Sequence, residues 1–442
     1  MRPTADLGGY KLTPVSYALV MFPDGVAPAA TLERRAPYAT NPTVGRRGQR
    51  TRERILDAAL AAFAEDGYHA TSLEDIARRA GCSRVACYQY FTDKEDLFGH
   101  LAERVAGLVN ATIDELDPIT ADVDGWHSLR SWIERTSEVQ TRYQAVFRSL
   151  ERDPVLAARA RTVGAPTIVR LQVRVENSDL SSRRLDVVAR LLFETLHHTL
   201  DVCDIVRAHD ARAYPADRVA VALTDVWHRT LFGRDTEVNV HAGARSTEQL
   251  LAVEPTRPVE PNVRSSATEP ILQAAREVFA SLGYHATRVE DIVQAASVSR
   301  SAFYRRFDNK EHVARILTAR AAGEVSQVFR AMPEAALSAP ADHRPIVRRW
   351  LREYHAAHDR EAGMLAVWTD ATLQDPRRRS DLAPLLEWGR RRVAGLLSTR
   401  RFGDPDFEAI VFVALLGVFG TRPRGPAEID AAIDVIERGL FG

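Results

Sequence analysis

One segment of this chain occurs twice, and this internal repeat limits the fold more than any other feature of the sequence. Without a gap, Ile55–Glu95 is identical to Ile271–Glu311 at 22 of 41 positions, an offset of 216 residues. Two of the only three lysines in the 442 residues, Lys94 and Lys310, take equivalent places in it. Weaker similarity continues to the ends of both halves. We therefore expect two whole copies of one protein of roughly 190 residues, fused in tandem.

The composition is that of an ordinary globular protein, with 45% hydrophobic and 27% charged residues. Because 59 basic and 59 acidic side chains cancel, any attraction to nucleic acid must be local. The longest apolar run, Ala409–Gly420, has 12 residues, whereas a bilayer needs roughly 20, so no membrane partner is predicted. Three cysteines, Cys82, Cys87 and Cys203, argue against a disulfide scaffold and suit the reducing cytoplasm, which is the expected location.

Within each copy the apolar residues follow a helical period. From Ile55 to Phe63 they recur at every third or fourth position, which is one face of a first helix. Thr71–Glu74 has the pattern of a capping box that begins a short second helix, and Thr287–Glu290 repeats it. A tight turn then leads to a third predicted helix over Arg84–Phe91. The expected fold class is all-α, and this order of helices is that of a helix-turn-helix DNA reader.

The exposed face of the third predicted helix carries side chains suited to DNA. Arginine can bond guanine edges and tyrosine can reach phosphates, while the small residues between them permit a close approach to the groove. Any small three-helix cluster could share the helical pattern, so it is this face that favours a DNA reader.

Three stretches of the first copy, Thr71–Ala77, Ala80–Arg84 and Tyr88–Leu97, resemble the N-terminal domain of TetR/AcrR-type transcriptional regulators. The second copy resembles it equally, through Asn309-Lys310-Glu311 among others. The resemblance implies an all-α protein in which each copy has a three-helix reader followed by a larger helical domain for ligand binding and dimerisation.

The resemblance also places DNA contacts around the reading helix and at the starts of its neighbours. In the first copy these are Thr71, Arg84, Val85, Ala86, Tyr88, Gln89, Tyr90 and Lys94. In the second copy they are Thr287, Arg288, Arg300, Ser301, Ala302, Tyr304, Arg305, Arg306 and Lys310. Ahead of the first copy, the basic run Gly45–Arg52 is expected to be an arm that grips phosphate or the minor groove through Arg46, Arg47 and Arg50. The second copy has only Arg264 there.

Some positions depart from the family pattern. The turn of the second copy has Ser297 where glycine is usual, Cys87 of the first copy replaces an aliphatic core residue, and Arg306 stands where His or Tyr is common. The readers also differ from each other at positions 85/301, 89/305 and 90/306. Since only identical readers require a palindrome, we predict an asymmetric operator with two half-sites.

Irregular stretches mark the domain boundaries. Residues 1–45 are expected to be an extended or disordered extension, with a signal peptide around Pro14–Phe22 as the alternative. Residues 234–264, which contain Pro255, Pro258 and Pro261, are predicted to be a linker. The remaining predicted domains are helix-turn-helix units at 46–97 and 265–313 and larger helical units at 98–233 and 314–442.

Aromatic residues of the larger domains are candidates for effector pockets, with core packing as the alternative. They are Trp132, Phe147, Phe193 and His197 in the first half and Trp350, Met364 and Trp368 in the second. A mostly apolar small molecule is the expected effector. His197 and Asp201, with His198 or Cys203, could ligate a metal, but a polar pocket lining is favoured, and neither metal nor cofactor is predicted. No nucleophile elbow, phosphate loop or zinc-protease motif occurs, so an enzyme is not expected.

We therefore predict a sequence-specific transcriptional regulator, a repressor released by a small-molecule effector. The two copies are expected to form a pseudo-dimer within one monomeric chain, through Arg184–Val202 and Pro215–Phe232 of the first half with Pro405–Gly420 and Pro426–Phe441 of the second. The alternative is a helical binding or scaffold protein in which only the first helix-turn-helix touches DNA.

Overall fold

The computed structural model describes residues 45–152, 156, 166–207, 210–233, 268–374, 376–400, 402–419 and 424–441. These residues form helices joined by turns, and the one β-type pairing among them is a parallel backbone bridge between Ile119 and Val175. The predicted all-α fold class is confirmed. Residues 1–44 of the predicted extension and the whole predicted linker, 234–264, lie outside the described ranges.

The two halves have parallel but unequal helix orders. In the first half, residues 46–233, the helices are α1 (Arg46–Asp66), α2 (Leu73–Arg79), α3 (Arg84–Tyr88), α4 (Lys94–Asp114), α5 (Val123–Arg142), α6 (Gln144–Arg152), α7 (Ser182–Arg207) and α8 (Ala216–Phe232), with a further helical stretch at 166–173. In the second half, residues 268–441, they are α9 (Glu269–Ala286), α10 (Val289–Ala295), α11 (Arg300–Tyr304), α12 (Lys310–Arg330), α13 (Glu334–Ser338), α14 (Arg344–Gln374), α15 (Pro376–Leu397), α16 (Pro405–Val418) and α17 (Pro426–Asp434), followed by a π-helix over Val435–Phe441.

The second helix of each reader begins one residue later than the capping-box pattern predicts. Ser72, and not Thr71, caps α2: its hydroxyl accepts from the Asp75 amide at 3.1 Å, and the Asp75 carboxylate accepts from the Ser72 amide at 3.2 Å. In the second copy the Asp291 carboxylate accepts from the Arg288 amide at 2.7 Å. The reciprocal hydrogen bond of a capping box is missing, because an arginine side chain cannot accept from the Asp291 amide. The prediction was wrong in the first copy because two overlapping capping-box patterns, Thr71-x-x-Glu74 and Ser72-x-x-Asp75, both fit the sequence, and the structure uses the second.

The reading helices α3 and α11 are short, ending three residues before the predicted Phe91 and its equivalent. Each begins at a serine whose hydroxyl accepts from a helix amide, Ser83 from Ala86 at 3.1 Å and Ser299 from Ala302 at 3.2 Å. On their inner faces, Cys87 and Phe303 are fully buried. Each reading helix is thus fixed at its first turn and by one core side chain.

Beyond the readers the halves diverge. In the first half the chain leaves the helical conformation at Tyr143, which separates α5 from α6. In the second half the comparable region is α14, a single helix of 31 residues. The core of the second reader also forms a hydrophobic cluster of its own, whereas that of the first reader is continuous with the rest of the buried core.

The long C-terminal helices of the two halves pack against each other. Helix α7 contacts α15, α16 and α17, while α8 contacts α16 and the π-helix. The contact contains buried charges: Glu408 of α16 is fully buried and accepts from Arg229 of α8 at 2.8 Å. A second ion pair, 2.6 Å long, joins Arg424 of the second half to Glu194 of the first. The described parts of the two halves therefore share one bundle of helices.

Candidate nucleic-acid interface

Both reading helices present polar residues at the surface. In the first reader, Arg84 and Val85 are exposed and Ala86, Tyr88, Gln89 and Tyr90 are half-buried. In the second, Arg300, Ser301, Tyr304 and Arg305 are exposed and Ala302 and Arg306 are half-buried. Val85 keeps 55% of its surface exposed, and an exposed aliphatic side chain here suits apolar contact with a thymine methyl group.

The first arginine of each reading helix is held by a tyrosine and a glutamate. The Arg84 guanidinium lies 5.6 Å from the ring centre of Tyr88 and 3.7 Å from the Glu74 carboxylate. In the second copy the Arg300 guanidinium lies 5.7 Å from the ring of Tyr304 and 3.0 Å from Glu290. We call these two sets of residues the Arg–Tyr–Glu groups.

The contacts of each Arg–Tyr–Glu group raise the pKa of its arginine, chiefly through the hydrogen bond to the tyrosine hydroxyl. A guanidinium has five N–H donors, so each arginine has further N–H groups that can bind a base or a phosphate. The arginines are therefore held in place by contacts within each reader.

The two threonines that were predicted to grip phosphate are turned inward instead. Thr71 and Thr287 are 3% and 1% exposed. The Thr71 hydroxyl donates to the Gly67 carbonyl at 2.7 Å, and the Thr287 hydroxyl donates to the Gly283 carbonyl at the same distance. These hydroxyls close the loop after the first helix, so the structure contradicts a phosphate contact through them.

The two repeated lysines also bind backbone. The Lys94 ammonium donates to the carbonyls of Tyr68 at 2.8 Å and Thr71 at 3.1 Å, and it lies 4.3 Å from the centre of the Tyr68 ring. Lys310 makes the same two hydrogen bonds in the second copy, each 2.8 Å long, and partial burial lowers its pKa. The lysine thus ties the start of the fourth helix to the loop before the second, a role that the sequence reasoning missed.

The predicted basic arm is helical. Residues 46–52 form the first turns of α1, with the side chains of Arg46, Arg47 and Arg50 exposed. Gly45 at the N-cap supplies no side-chain acceptor, so within the described residues no side chain caps the first helix amides, which lie beside these guanidiniums. A helix N-terminus with added positive charge attracts phosphate. The arginines keep their candidate role, but as the end of a helix and not as a flexible arm.

The turn before each reading helix uses a left-handed residue. Gly81 has φ +61°, and Ser297 has φ +52° at the same place in the second copy. A residue with a β-carbon is strained in this conformation, whereas glycine is not. The departure noted in the sequence therefore costs the second reader stability.

The candidate pocket residues of the first half lie together. Trp132 is fully buried with its ring 6.4 Å from Phe193, and His197 lies 4.5 Å from Phe193 and 4.6 Å from Phe147. Burial lowers the pKa of His197 to about 4, and its Nδ1 is hydrogen-bonded to the side chain of Gln140. Sequence reasoning overlooked Gln140, because a lone glutamine on a helix gives no signal.

Two indoles in this cluster, those of Trp132 and Trp227, lie 5.6 Å apart. Their buried N–H groups make no hydrogen bond among the described residues.

The two second-half candidates whose side chains are described, Trp350 and Met364, lie in different surroundings. The Trp350 indole donates to the Val328 carbonyl at 3.0 Å, whereas Met364 belongs to the core of the second reader. The side chain of Trp368 lies outside the described parts. Among the described residues no group of three or more His, Cys, Asp and Glu side chains could hold a metal ion, and none of the described helices is long and apolar enough to cross a membrane.

Two short helices joined by a tight turn, repeated with the same Arg–Tyr–Glu group, define a helical protein with two helix-turn-helix domains. The family described as bacterial regulatory proteins, tetR family, matches residues 55–101 and 271–315. The chain thus carries two copies of the N-terminal domain that this family model describes.

Curated relatives match parts of the chain. The HTH-type transcriptional regulator AcrR of Shigella flexneri is 45% identical over 69 residues, 16% of this chain and 30% of that protein. The HTH-type transcriptional repressor LfrR of Mycolicibacterium smegmatis is 36% identical over 112 residues, 25% of this chain and 57% of the relative. The HTH-type transcriptional repressor AcnR of Corynebacterium glutamicum is 29% identical over 154 residues, 34% of this chain and 78% of the relative. The matches thus span less than two thirds of the first two relatives.

Proposed function

We propose that this chain is a sequence-specific DNA-binding transcriptional regulator whose two readers bind one operator together. The observation that carries the proposal is the Arg–Tyr–Glu group present on both reading helices, with distances that agree within 1 Å. The relatives that match the chain are named as transcriptional regulators and repressors. No enzyme is proposed.

The shared helix bundle supports a pseudo-dimer made within one chain. Family members that pair as separate subunits would need a second chain, whereas here α7 and α8 already contact α16, α17 and the π-helix. Light scattering on the purified protein is therefore expected to give 49.2 kDa, the mass of one chain. A stable species of twice that mass at micromolar concentration would show that chains pair with each other.

The operator should be asymmetric, because the two readers present different side chains. The partly exposed Gln89 of the first reader is replaced by the exposed Arg305 at the equivalent position of the second. An amide side chain suits adenine, whereas arginine suits guanine. Arg306 donates from Nη1 to the Ala302 carbonyl at 2.8 Å, so Arg305 is the stronger candidate for the difference. Half-site centres are expected roughly 34–36 Å apart if both readers dock on one face of the DNA.

Selection of bound sequences from random DNA tests this proposal on the intact chain. The wild type should return two unequal half-sites, and Gln89→Arg should make the first resemble the second, with a change of about 1–3 kcal/mol per altered base pair. Arg305→Gln is the matched reverse variant. A perfect palindrome from the wild type would contradict the asymmetric operator.

A repressor released by an effector is the regulatory mode that we propose, with the aromatic cluster of the first half as its site. Trp132, Phe193 and His197 form a cluster of rings with one neutral imidazole, and the Trp132 N–H makes no hydrogen bond within the described residues. Such a cluster suits a mostly apolar small molecule if the rings move apart to admit it. Crystals soaked with a binding molecule should show it in at most one half; equal occupancy of both would refute this.

One observation supports a second candidate, a helical binding protein in which only the first reader touches DNA. Helix α9 begins with Glu269, which pairs with Arg320 at 2.9 Å, where α1 begins with exposed arginines. Gel shifts of the intact chain with Tyr304→Ala, compared with Tyr88→Ala, separate the two. If Tyr304→Ala binds as tightly as the wild type, the second reader is not used.

A further inference from the structure

Two of the three cysteines lie against each other inside the first reader. The Sγ atoms of Cys82, in the turn, and Cys87, on reading helix α3, are 3.9 Å apart. Cys82 is partly exposed, whereas Cys87 is fully buried. The second copy has Val298 and Phe303 at the equivalent positions, so this pair of thiols exists in one reader alone.

We propose that Cys82 and Cys87 form a peroxide-sensitive dithiol that closes to a disulfide and thereby changes the first reader. The Cys82 thiolate attacks one oxygen of hydrogen peroxide, the O–O bond breaks, and Cys82 becomes a sulfenic acid while the released hydroxide takes up a proton to give water. The Cys87 sulfur then attacks the Cys82 sulfur, the S–O bond breaks, and the hydroxyl leaves with the Cys87 proton as a second water. Two thiols thereby supply the two electrons that reduce the peroxide.

Exposure decides the order of the two steps. Peroxide reaches the partly exposed Cys82 sulfur from solvent, whereas the fully buried Cys87 is reached through its neighbour. Burial also raises the pKa of Cys87 to about 12, so it stays a thiol until a sulfenic acid forms beside it. Cys203 on α7 is fully buried as well and serves as an internal reference that should not react.

Closing the disulfide must move part of the reader, because an S–S bond is about 2.05 Å long and the sulfurs start 3.9 Å apart. Cys87 belongs to the same buried cluster as Ile76 and Phe91, and it lies between Ala86 and Tyr88 on the reading helix. The sulfurs therefore approach by rotation of the partly exposed Cys82 side chain, by a shift of the turn or the helix, or by both. The consequence for DNA rests on the function proposed above.

The disulfide can be read directly from peptides of the full chain. Trypsin cuts after Arg84 and so separates Cys82, in residues 80–84, from Cys87, in residues 85–94. After peroxide treatment and alkylation of remaining thiols, the two peptides should appear joined, and dithiothreitol should separate them. Cys82→Val, which installs the residue of the second copy, should give no joined peptides. Separate alkylated peptides, or Cys82 oxidised to a sulfinic acid with no link, would overturn the dithiol; circular dichroism verifies that each variant is folded.

Binding of selected DNA tests the consequence. Oxidation of the wild type should weaken binding about tenfold, comparable to one lost base-pair contact, through the first half-site only, and Cys82→Val should be unaffected. Joined peptides with unchanged affinity would overturn the switch. A reduced chain that selects no DNA would overturn the proposed function instead, and the peptides would still decide whether the dithiol forms.

Discussion

Glu408 is a fully buried charge in the contact between the two halves. Its carboxylate is fully buried and accepts from Arg229 of the first half at 2.8 Å and from Arg400 of its own half at 2.7 Å. The two arginine side chains are themselves 7% and 5% exposed. The substitution Glu408→Gln keeps the shape of the side chain and removes the charge that both guanidiniums need.

The structure sets the size of the effect. Removing one partner of a buried ion pair costs about 3–5 kcal/mol, because the remaining charge is left without a counter-ion. Arg229 also donates to the Gly439 carbonyl at 2.8 Å, and Arg400 donates to the Leu397 carbonyl at 3.1 Å, so both retain some hydrogen bonds. We therefore expect the lower end of the range, a loss of about 3 kcal/mol in the free energy of unfolding.

Urea unfolding followed by circular dichroism measures this loss against a matched control. Asp179→Asn breaks another ion pair between the halves, 2.8 Å long to Arg438, in which 63% of the aspartate side chain is exposed. An exposed pair contributes less than about 1 kcal/mol, so this variant should unfold close to the wild type. If Glu408→Gln and Asp179→Asn shift the unfolding equally, the buried charge does not hold the halves together.

Other predictions follow from single residues. Ser297→Gly should stabilise the second reader by about 1 kcal/mol by relieving the left-handed strain, and Gly81→Ser should destabilise the first; thermal unfolding showing the opposite signs would refute this. His197 has a folded pKa of about 4, so the unfolded chain gains its proton first as the pH falls below about 6.5, and this histidine alone should lower stability by about 2 kcal/mol between pH 7 and pH 5. Urea midpoints at the two pH values measure this drop, and it should be smaller in His197→Gln. Arg50→Ala should lower the slope of log affinity for DNA against log salt by about 0.9, the value for one phosphate contact; an unchanged slope would remove Arg50 from the interface.

Features encoded by neighbouring residues could be predicted from the sequence. The repeat, the all-α class and the two short reading helices follow from apolar spacing and from caps within a few residues. Gly67 illustrates this, since it ends the first helix with φ +81°, as its place after the last apolar position implies.

Roles that depend on distant partners could not be predicted. Lys94 donates to the carbonyl of Tyr68, 26 residues earlier, and Thr71 turns its hydroxyl inward to Gly67. In the sequence both look like surface polar residues beside a DNA reader. Only the folded loop shows that their donors satisfy buried carbonyls, which would otherwise cost free energy.

The charges between the halves are not related by symmetry, and this difference gives a last prediction. In a symmetric dimer every contact occurs twice with the same residues. Here Arg184 of the first half pairs with Asp434 of the second, and Arg229 of the first half pairs with Glu408 of the second. The first half has Asp225 at the position equivalent to Asp434, but this carboxylate accepts from the Trp126 indole at 2.8 Å, so the described residues show the Arg184–Asp434 contact once.

Arg184 and Asp434 allow a test by charge exchange. Arg184→Asp alone should be destabilising, because it sets a second carboxylate beside Asp434, which is 3% exposed. Adding Asp434→Arg should restore part of the loss and not all of it, since Arg344 also pairs with Asp434 at 3.1 Å and would then meet an arginine. The coupling is measured by a double-mutant cycle in urea, where contacting residues differ from additivity by about 0.5–3 kcal/mol. Strictly additive losses would mean that this pair does not help the halves to recognise each other.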